Sequence, residues 1–294
     1  MRRKNFRSWR DYRNFRISVT RNQRFALEPT SVEFLRVLLR QVDERTRRIK
    51  EGQILWRAQL GHGWDPLQGS DGEWIDDAVP GPFPPDRMKP LRDSARQGRV
   101  NPPGVSYLYL AGDRRTAMME TRPWIGVMVS VGQFKTVRQL NIVDLSPDKS
   151  FKHEIFYFEN PSPRVRNQAV LYDVCQAFSE PATSSDERAD YVPTQIIADN
   201  IKAKGLDGVA YRSSLTEGGL NICLFDVDSA RLCNCSLFEV GSIEMEFSEA
   251  ANPYHIRDKD GAVLRNVVVD VFSSNSEDKG AGPANLPAND ESIT

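Results

Sequence analysis

The chain has 294 residues, 39% of them hydrophobic and 27% charged, with a formal net charge of −1, which describes a globular protein of one large domain with additions, or of two small ones, and excludes a disordered chain. Its longest apolar runs, GVMVSV and NVVVDVF, fall well short of the roughly 20 residues that a spanning helix needs, so no membrane role is expected. The four cysteines, Cys175, Cys223, Cys233 and Cys235, offer no recognisable metal-ligand spacing, and reduced thiols in a cytoplasmic protein are the expectation.

The charge is unevenly spread. Residues 1–50 hold 15 Lys and Arg against 5 Asp and Glu, a net +10, which leaves −11 for the remainder. Such a basic arm, with Phe6, Trp9, Tyr12 and Phe15 scattered along it, either touches nucleic acid or neutralises an acidic body, and no aromatic-interleaved binding motif strengthens the first reading. It has no apolar core of the kind a secretory signal carries. From Thr30 or Ser31 a helix is expected, capped by the serine, with Phe34, Val37, Leu38, Val42 and Ile49 at helical spacing and Gly52 ending it.

ILWRAQ follows as a strand. Its Arg57, in the middle of an apolar run, either points to solvent or serves an anion, because a buried guanidinium without a partner is costly. Residues 61–95 are rich in Gly, Pro, Asp and Trp and suggest a long loop or insertion. Within it, His62 has no nameable acid-base partner and is expected to be structural or solvated.

The organising stretch is Arg96 to Pro123, RQGRVNPPGVSYLYLAGDRRTAMMETRP. It divides into a glycine- and proline-rich loop, a short strand VSYLYLA, a turn GDRR and a helix TAMMET whose Glu120 would face a cleft. IGVMVSVGQF and TVRQLNIVDLS then suggest two strands joined by a turn at Gly132 to Lys135. RVRNQAVLYDVCQAFSE and VPTQIIADNIKAKG suggest helices, the second capped by Thr194 and stopped by Gly205, with the loop PATSSDERAD between them. DGVAYRSS and LNICLFD form strands around the turn EGG, and further strands run through CSLFEVGSIEMEFS and AVLRNVVVDVF. Taken alone, Ser213 and Ser214 before a glycine turn fit ordinary turn chemistry. The last residues have the composition of a disordered tail.

Several ordered motifs, W-R-A, G-R-V-N-P-P-G, L-Y-L-A with T-A-x-x-E, and D-G-x-x-Y-x-S-S with G-G-x-N-x-x-L-F, together resemble the RES domain, named for Arg, Glu and Ser. The resemblance runs from about Leu55 to Asp226. It implies an α+β fold, an ADP-ribosyltransferase-like split mixed β-sheet with flanking helices around an NAD cleft. It also implies a toxin of a two-gene system that degrades NAD by phosphorolysis or hydrolysis, with a helix-turn-helix (Xre-type) antitoxin as partner. NAD is then substrate rather than resident cofactor, phosphate is a candidate co-substrate, and no metal is called for. A homodimer is also open to the chain.

The functional positions carried over are Arg57, Glu120 and Ser213 as catalytic residues, with Tyr109, Arg99, Ser214 and Asn221 as further NAD-binding candidates. Ser213 is favoured over Ser214 because it would share the strand face of Tyr211. The roles suit the chemistry: a guanidinium can grip a pyrophosphate in two-pronged fashion, and an aromatic ring can stack on the flat, cationic nicotinamide. Cleavage of the ribose–nicotinamide bond builds positive charge that a fixed carboxylate stabilises. Ser213 would orient the ribose or the amide. The alternatives are ADP-ribosyl transfer to a protein or nucleic acid, and a non-catalytic binding module. The implied organisation is a basic arm and helix over 1–50, a RES domain over 51–272 with insertions near 61–95 and 145–190, and a tail over 273–294.

Overall fold

The arginines of the N-terminal segment alternate with aromatics at helical spacing, so a helix there can bury one face and solvate the other. In the computed structural model, which describes residues 4–90, 95–146, 161–180, 191–245, 254–256 and 263–265, that is what happens. Helix α1 (Asp11–Ile17) runs into a π-helical turn at Ser18–Asn22. Phe6, Tyr12, Phe15 and Val19 are buried, with the Phe15 ring stacked on Phe34 at 4.5 Å between centroids. Phe34 belongs to α2 (Pro29–Gln41).

Helix α2 is shorter than its sequence suggests. A 3-10 turn at Val42–Arg45 and strand β1 (Thr46–Ile49) take up the remainder, so Ile49 is a strand residue. Pairing of Thr46–Ile49 with another strand outweighs the helical spacing, as tertiary context commonly does. The expected serine cap is absent too: no side chain caps α2, and the buried Ser31 hydroxyl bonds that of Ser18 at 3.1 Å.

Strand β2 (Ile54–Leu60) leads into a segment that is not a loop. It is a hairpin of β3 (Gly63–Gln68) and β4 (Trp74–Gly81), followed by one helical turn, α3 (Pro85–Met88). Gly72 at φ +85 and the Gly69 N–H bond to the Glu73 carbonyl close the hairpin. Its alternation is hidden by Pro66 and by a bulge after it.

The remaining elements are β5 (Leu108–Ala111), α4 (Arg114–Met119), β6 (Met128–Thr136), β7 (Leu140–Asp144), α5 (Pro163–Ser179), α6 (Val192–Ala203), β8 (Gly208–Arg212), β9 (Leu220–Leu224) and β10 (Ala230–Glu239). The turn expected at Gly132 to Lys135 lies inside β6. Gly132 marks close packing instead: a Cβ there would stand 2.6 Å from Leu232 and 3.1 Å from Met88. Helix α6 starts at Val192, with Pro193 in its first turn, and Thr194 lies inside it rather than capping it.

Eight strands make one mixed sheet in the order β1-β7-β8-β9-β5-β2-β6-β10. Only β7 and β8 run parallel. Between β5 and β2 the ladder narrows to a single pair, Trp56 with Ala111, so the sheet is split into a five-stranded and a three-stranded part. The split mixed sheet with flanking helices is the architecture that the motifs implied. Alternate residues serve opposite faces: Val209 and Tyr211 pack with α1, α2, α5 and α6, whereas Ala210 packs with Leu108, Phe134 and Ile222.

Residues 1–243 form one compact unit and 244–294 a second, in which β11 (Tyr254–Ile256) pairs antiparallel with β12 (Val263–Arg265). The expected loop PATSSDERAD, the expected strand through NVVVDVF and the tail over 273–294 lie outside the described residues, as does much of the insertion near 145–190.

Candidate active site

Where β5 and β2 part, strand groups that would pair in a closed sheet face a gap. Arg57 stands beside the last pair, and its Nη1 reaches across to donate to the Tyr109 carbonyl at 3.0 Å. Its Nε is buried without a partner. Burial lowers the guanidinium pKa below its usual value, with Cys223 and Tyr109 acting in the opposite sense. Among the described residues no carboxylate pairs with it. A desolvated cation held only by a carbonyl is a place prepared for an anion.

Helix α4 delivers the carboxylate. Its N-terminus is fixed by Asp113, whose side chain accepts from the Thr116 N–H at 2.8 Å and the Thr116 hydroxyl at 2.6 Å. Because that hydroxyl donates to Asp113, it accepts from Thr216 at 2.9 Å, and so joins α4 to the β8–β9 turn. Arg114 lies over the rings of Trp56 and Phe238, 6.0 and 5.1 Å from their centroids. Glu120 is the residue that ends α4 rather than one within it.

The Glu120 side chain is gripped at one oxygen only. Oε1 accepts from Ser213 Oγ at 2.7 Å and from Asn221 Nδ2 at 2.6 Å. Ser213 follows the end of β8, and Asn221 lies on β9 opposite Tyr211. Among the described residues no donor reaches Oε2. Ser214 is exposed, borders the cleft and makes no bond to Glu120, so the two serines occupy different places, Ser213 on the carboxylate and Ser214 at the rim.

Arg57, Tyr109, Glu120, Ser214 and Asn221 border one cleft of about 340 Å³, and Ser213 stands behind the carboxylate. Tyr109 offers it a ring and not a hydroxyl. The hydroxyl donates to Asn101 Oδ1 at 2.7 Å and accepts from the Val100 N–H at 3.1 Å. Burial, then Cys223 and Tyr211, push its pKa well above the usual phenol value. The glycine–proline loop is therefore a latch around this hydroxyl. Asn101 Nδ2 donates to the carbonyls of Arg96, Pro102 and Val105, and Gln195 Nε2 donates to those of Gly98 and Asn101. Gly98 is obligatory, since a Cβ would lie 2.6 Å from the Tyr109 oxygen.

Arg99 borders the cleft, but its terminal nitrogens are engaged elsewhere. Nη1 donates to the Phe178 carbonyl at 2.6 Å and Nη2 to the Glu180 carbonyl, closing the C-terminus of α5. Further residues border the cleft beyond those carried over, among them Trp56, Arg122 and Ser179. Trp56 flanks Arg57. Arg122 holds φ +49, the one positive value among described residues other than glycine. Ser179 presents a buried Oγ with no partner. His62 is not among the cleft residues: it bonds the Gly63 carbonyl at 2.7 Å and meets Trp64 edge-on.

Split sheet, cleft arginine and tethered glutamate define a family when set beside known proteins. The family model described as RES domain matches residues 54–237, and the chain belongs to that family. No curated protein matches it. Among solved structures it is similar to a chain of the M. tuberculosis MbcT-MbcA toxin-antitoxin complex, with 15% identity over 69% of this chain and 92% of the other, at a TM-score of 0.35. No described helix is long and apolar enough to cross a membrane.

Proposed function

We propose that this protein consumes NAD by cleaving the bond between nicotinamide and ribose. The observation that carries this reading is the pair of opposite groups in one cleft: a partly buried arginine whose Nε is desolvated and which has no carboxylate partner among the described residues, and a glutamate held through Oε1 by Ser213 and Asn221 with no described donor at Oε2. RES membership supports it. The Arg57 guanidinium takes the pyrophosphate, and the Tyr109 ring takes the flat nicotinamide. As the C1′–N bond lengthens, its electron pair leaves with the ring, which departs neutral and needs no strong acid. The positive charge left on the ribose is stabilised by the Glu120 carboxylate. Ser213 acts by orienting that carboxylate rather than by touching the ribose. Phosphate or water then bonds to C1′.

The cell-level role that the family favours is a toxin restrained by a helix-turn-helix antitoxin covering the cleft. The experiment is to incubate the purified chain with NAD, with and without inorganic phosphate, and to follow nicotinamide and the ribose-containing product, with Glu120→Gln beside it. Release that requires phosphate identifies a phosphorylase, and release indifferent to it a glycohydrolase. No release from a folded, partner-free sample would refute the reading, and a label passing from NAD to a macromolecule would replace it with ADP-ribosyl transfer.

A further inference from the structure

The β3–β4 hairpin stands clear of the sheet with both faces in solvent. Its register pairs Trp64 with Pro80, Pro66 with Ala78, and Gln68 with Trp74. The paired positions of one face therefore carry two tryptophans, two prolines and an alanine beside Gln68, with Asp76 and Asp77 unpaired at the bulge. Trp64 and Trp74 are 66% and 68% exposed, and Ile75 and Val79 on the opposite face are 51% and 42% exposed. A two-stranded hairpin is marginally stable in water by itself, and an apolar face of this kind marks an interaction site.

Its charge indicates what covers it. Residues 63–81 carry Asp65, Asp71, Glu73, Asp76 and Asp77 and no Lys or Arg. The same chain holds the complementary surface. Along the N-terminal segment Lys4, Arg7, Arg10, Arg13, Arg16, Arg21 and Arg24 are exposed, with Asp11 the one carboxylate between them. Ile17 and Phe25 beside them are 40% and 95% exposed. Neither surface covers the other within the chain.

We propose that the hairpin of one copy docks on the arginine-rich N-terminal surface of a second copy, guanidinium groups lying over the tryptophan faces and facing the carboxylates. Two tryptophans supply roughly 300–500 Å², so a contact reciprocated about a two-fold axis approaches the size of a specific interface. This inference is independent of the NAD reading.

The test is sedimentation of the full chain over a wide concentration range at low and at high salt. Concentration-dependent self-association that weakens with salt is expected. Trp64→Ala with Trp74→Ala weakens it by about tenfold or more, with an unchanged thermal melt as the folding control. Arg13→Glu with Arg16→Glu abolishes it, as does Asp65→Lys with Glu73→Lys, and mixing these two charge-reversed proteins restores a complex. A monomer at every concentration overturns the proposal. So does self-association that survives both the tryptophan and the charge substitutions.

Discussion

Glu120 is held at Oε1 by Ser213 and Asn221, and among the described residues no donor reaches Oε2, so its neighbours leave one oxygen free. Glu120→Gln is expected to lower NAD cleavage by about 10²–10³ while leaving the melting temperature unchanged, because the side chain is exposed and its charge acts where positive charge develops. Arg57→Lys separates binding from chemistry. A lysine keeps the charge but loses the fork, so steady-state kinetics should show KM for NAD raised about tenfold with kcat nearly kept. Tyr109→Phe keeps the ring and removes the hydroxyl that joins Asn101 to Val100. It should cost about 1–3 kcal/mol in a denaturant titration and retain cleavage, whereas Tyr109→Ala should lose both. These residues were legible because residue type and order carried them. Arg99 was legible as a position but not in its bonding, since the carbonyls it serves lie about eighty residues away in sequence. Ser179 and Arg122 gave no signal, because only the folded backbone brings them to the cleft.

Among the elements, α4 has the tightest local control. Burial raises the Asp113 pKa, but hydrogen bonds from Thr116 and Arg115 outweigh it and leave the carboxyl below its ordinary 3.8. A depressed folded pKa means that the cap's stabilisation is complete above the unfolded value and is lost as pH falls through the folded one. Acid titration followed by circular dichroism should therefore show Asp113→Ala and the parent converging below about pH 4. At neutral pH the substitution should cost about 1 kcal/mol. The helix was expected over TAMMET after a turn GDRR, and the structure starts it earlier, at Arg114, because Asp113 caps it there. The course of β6 through Gly132 was not legible in the sequence, since that glycine answers to Leu232 and Met88 across the fold rather than to a turn. The β3–β4 hairpin was hidden likewise, by a proline and a bulge within its strands.

At the scale of the whole molecule, the N-terminal segment is part of the core it precedes. Phe6, Tyr12, Phe15 and Phe34 lie in one cluster with Val143, Val170 and Val209 of the RES region. Phe15→Ala is expected to destabilise the protein by about 3–5 kcal/mol in denaturant unfolding, and removal of the first 25 residues to yield insoluble protein rather than a trimmed enzyme. The same segment keeps its arginines outside, which is why a basic arm and a packed helix are both true of it.

The sequence by itself determined the α+β class and the RES motifs, and it nominated Arg57, Tyr109, Glu120, Ser213 and Asn221 as candidates, because those depend on residue types in order along the chain. It also favoured Ser213 over Ser214 as a candidate, because alternation in a strand is local. Only the tertiary structure decided that the sheet parts beside Trp56 and Ala111, that Arg57 has no carboxylate partner among the described residues, and that the loop of Asn101 closes on the Tyr109 hydroxyl. The first two rest on segments more than fifty residues apart, and the third, though only eight residues separate its partners, on how the folded loop turns back; the energy of a desolvated charge or an unmade hydrogen bond depends on what stands opposite it, which no local pattern records.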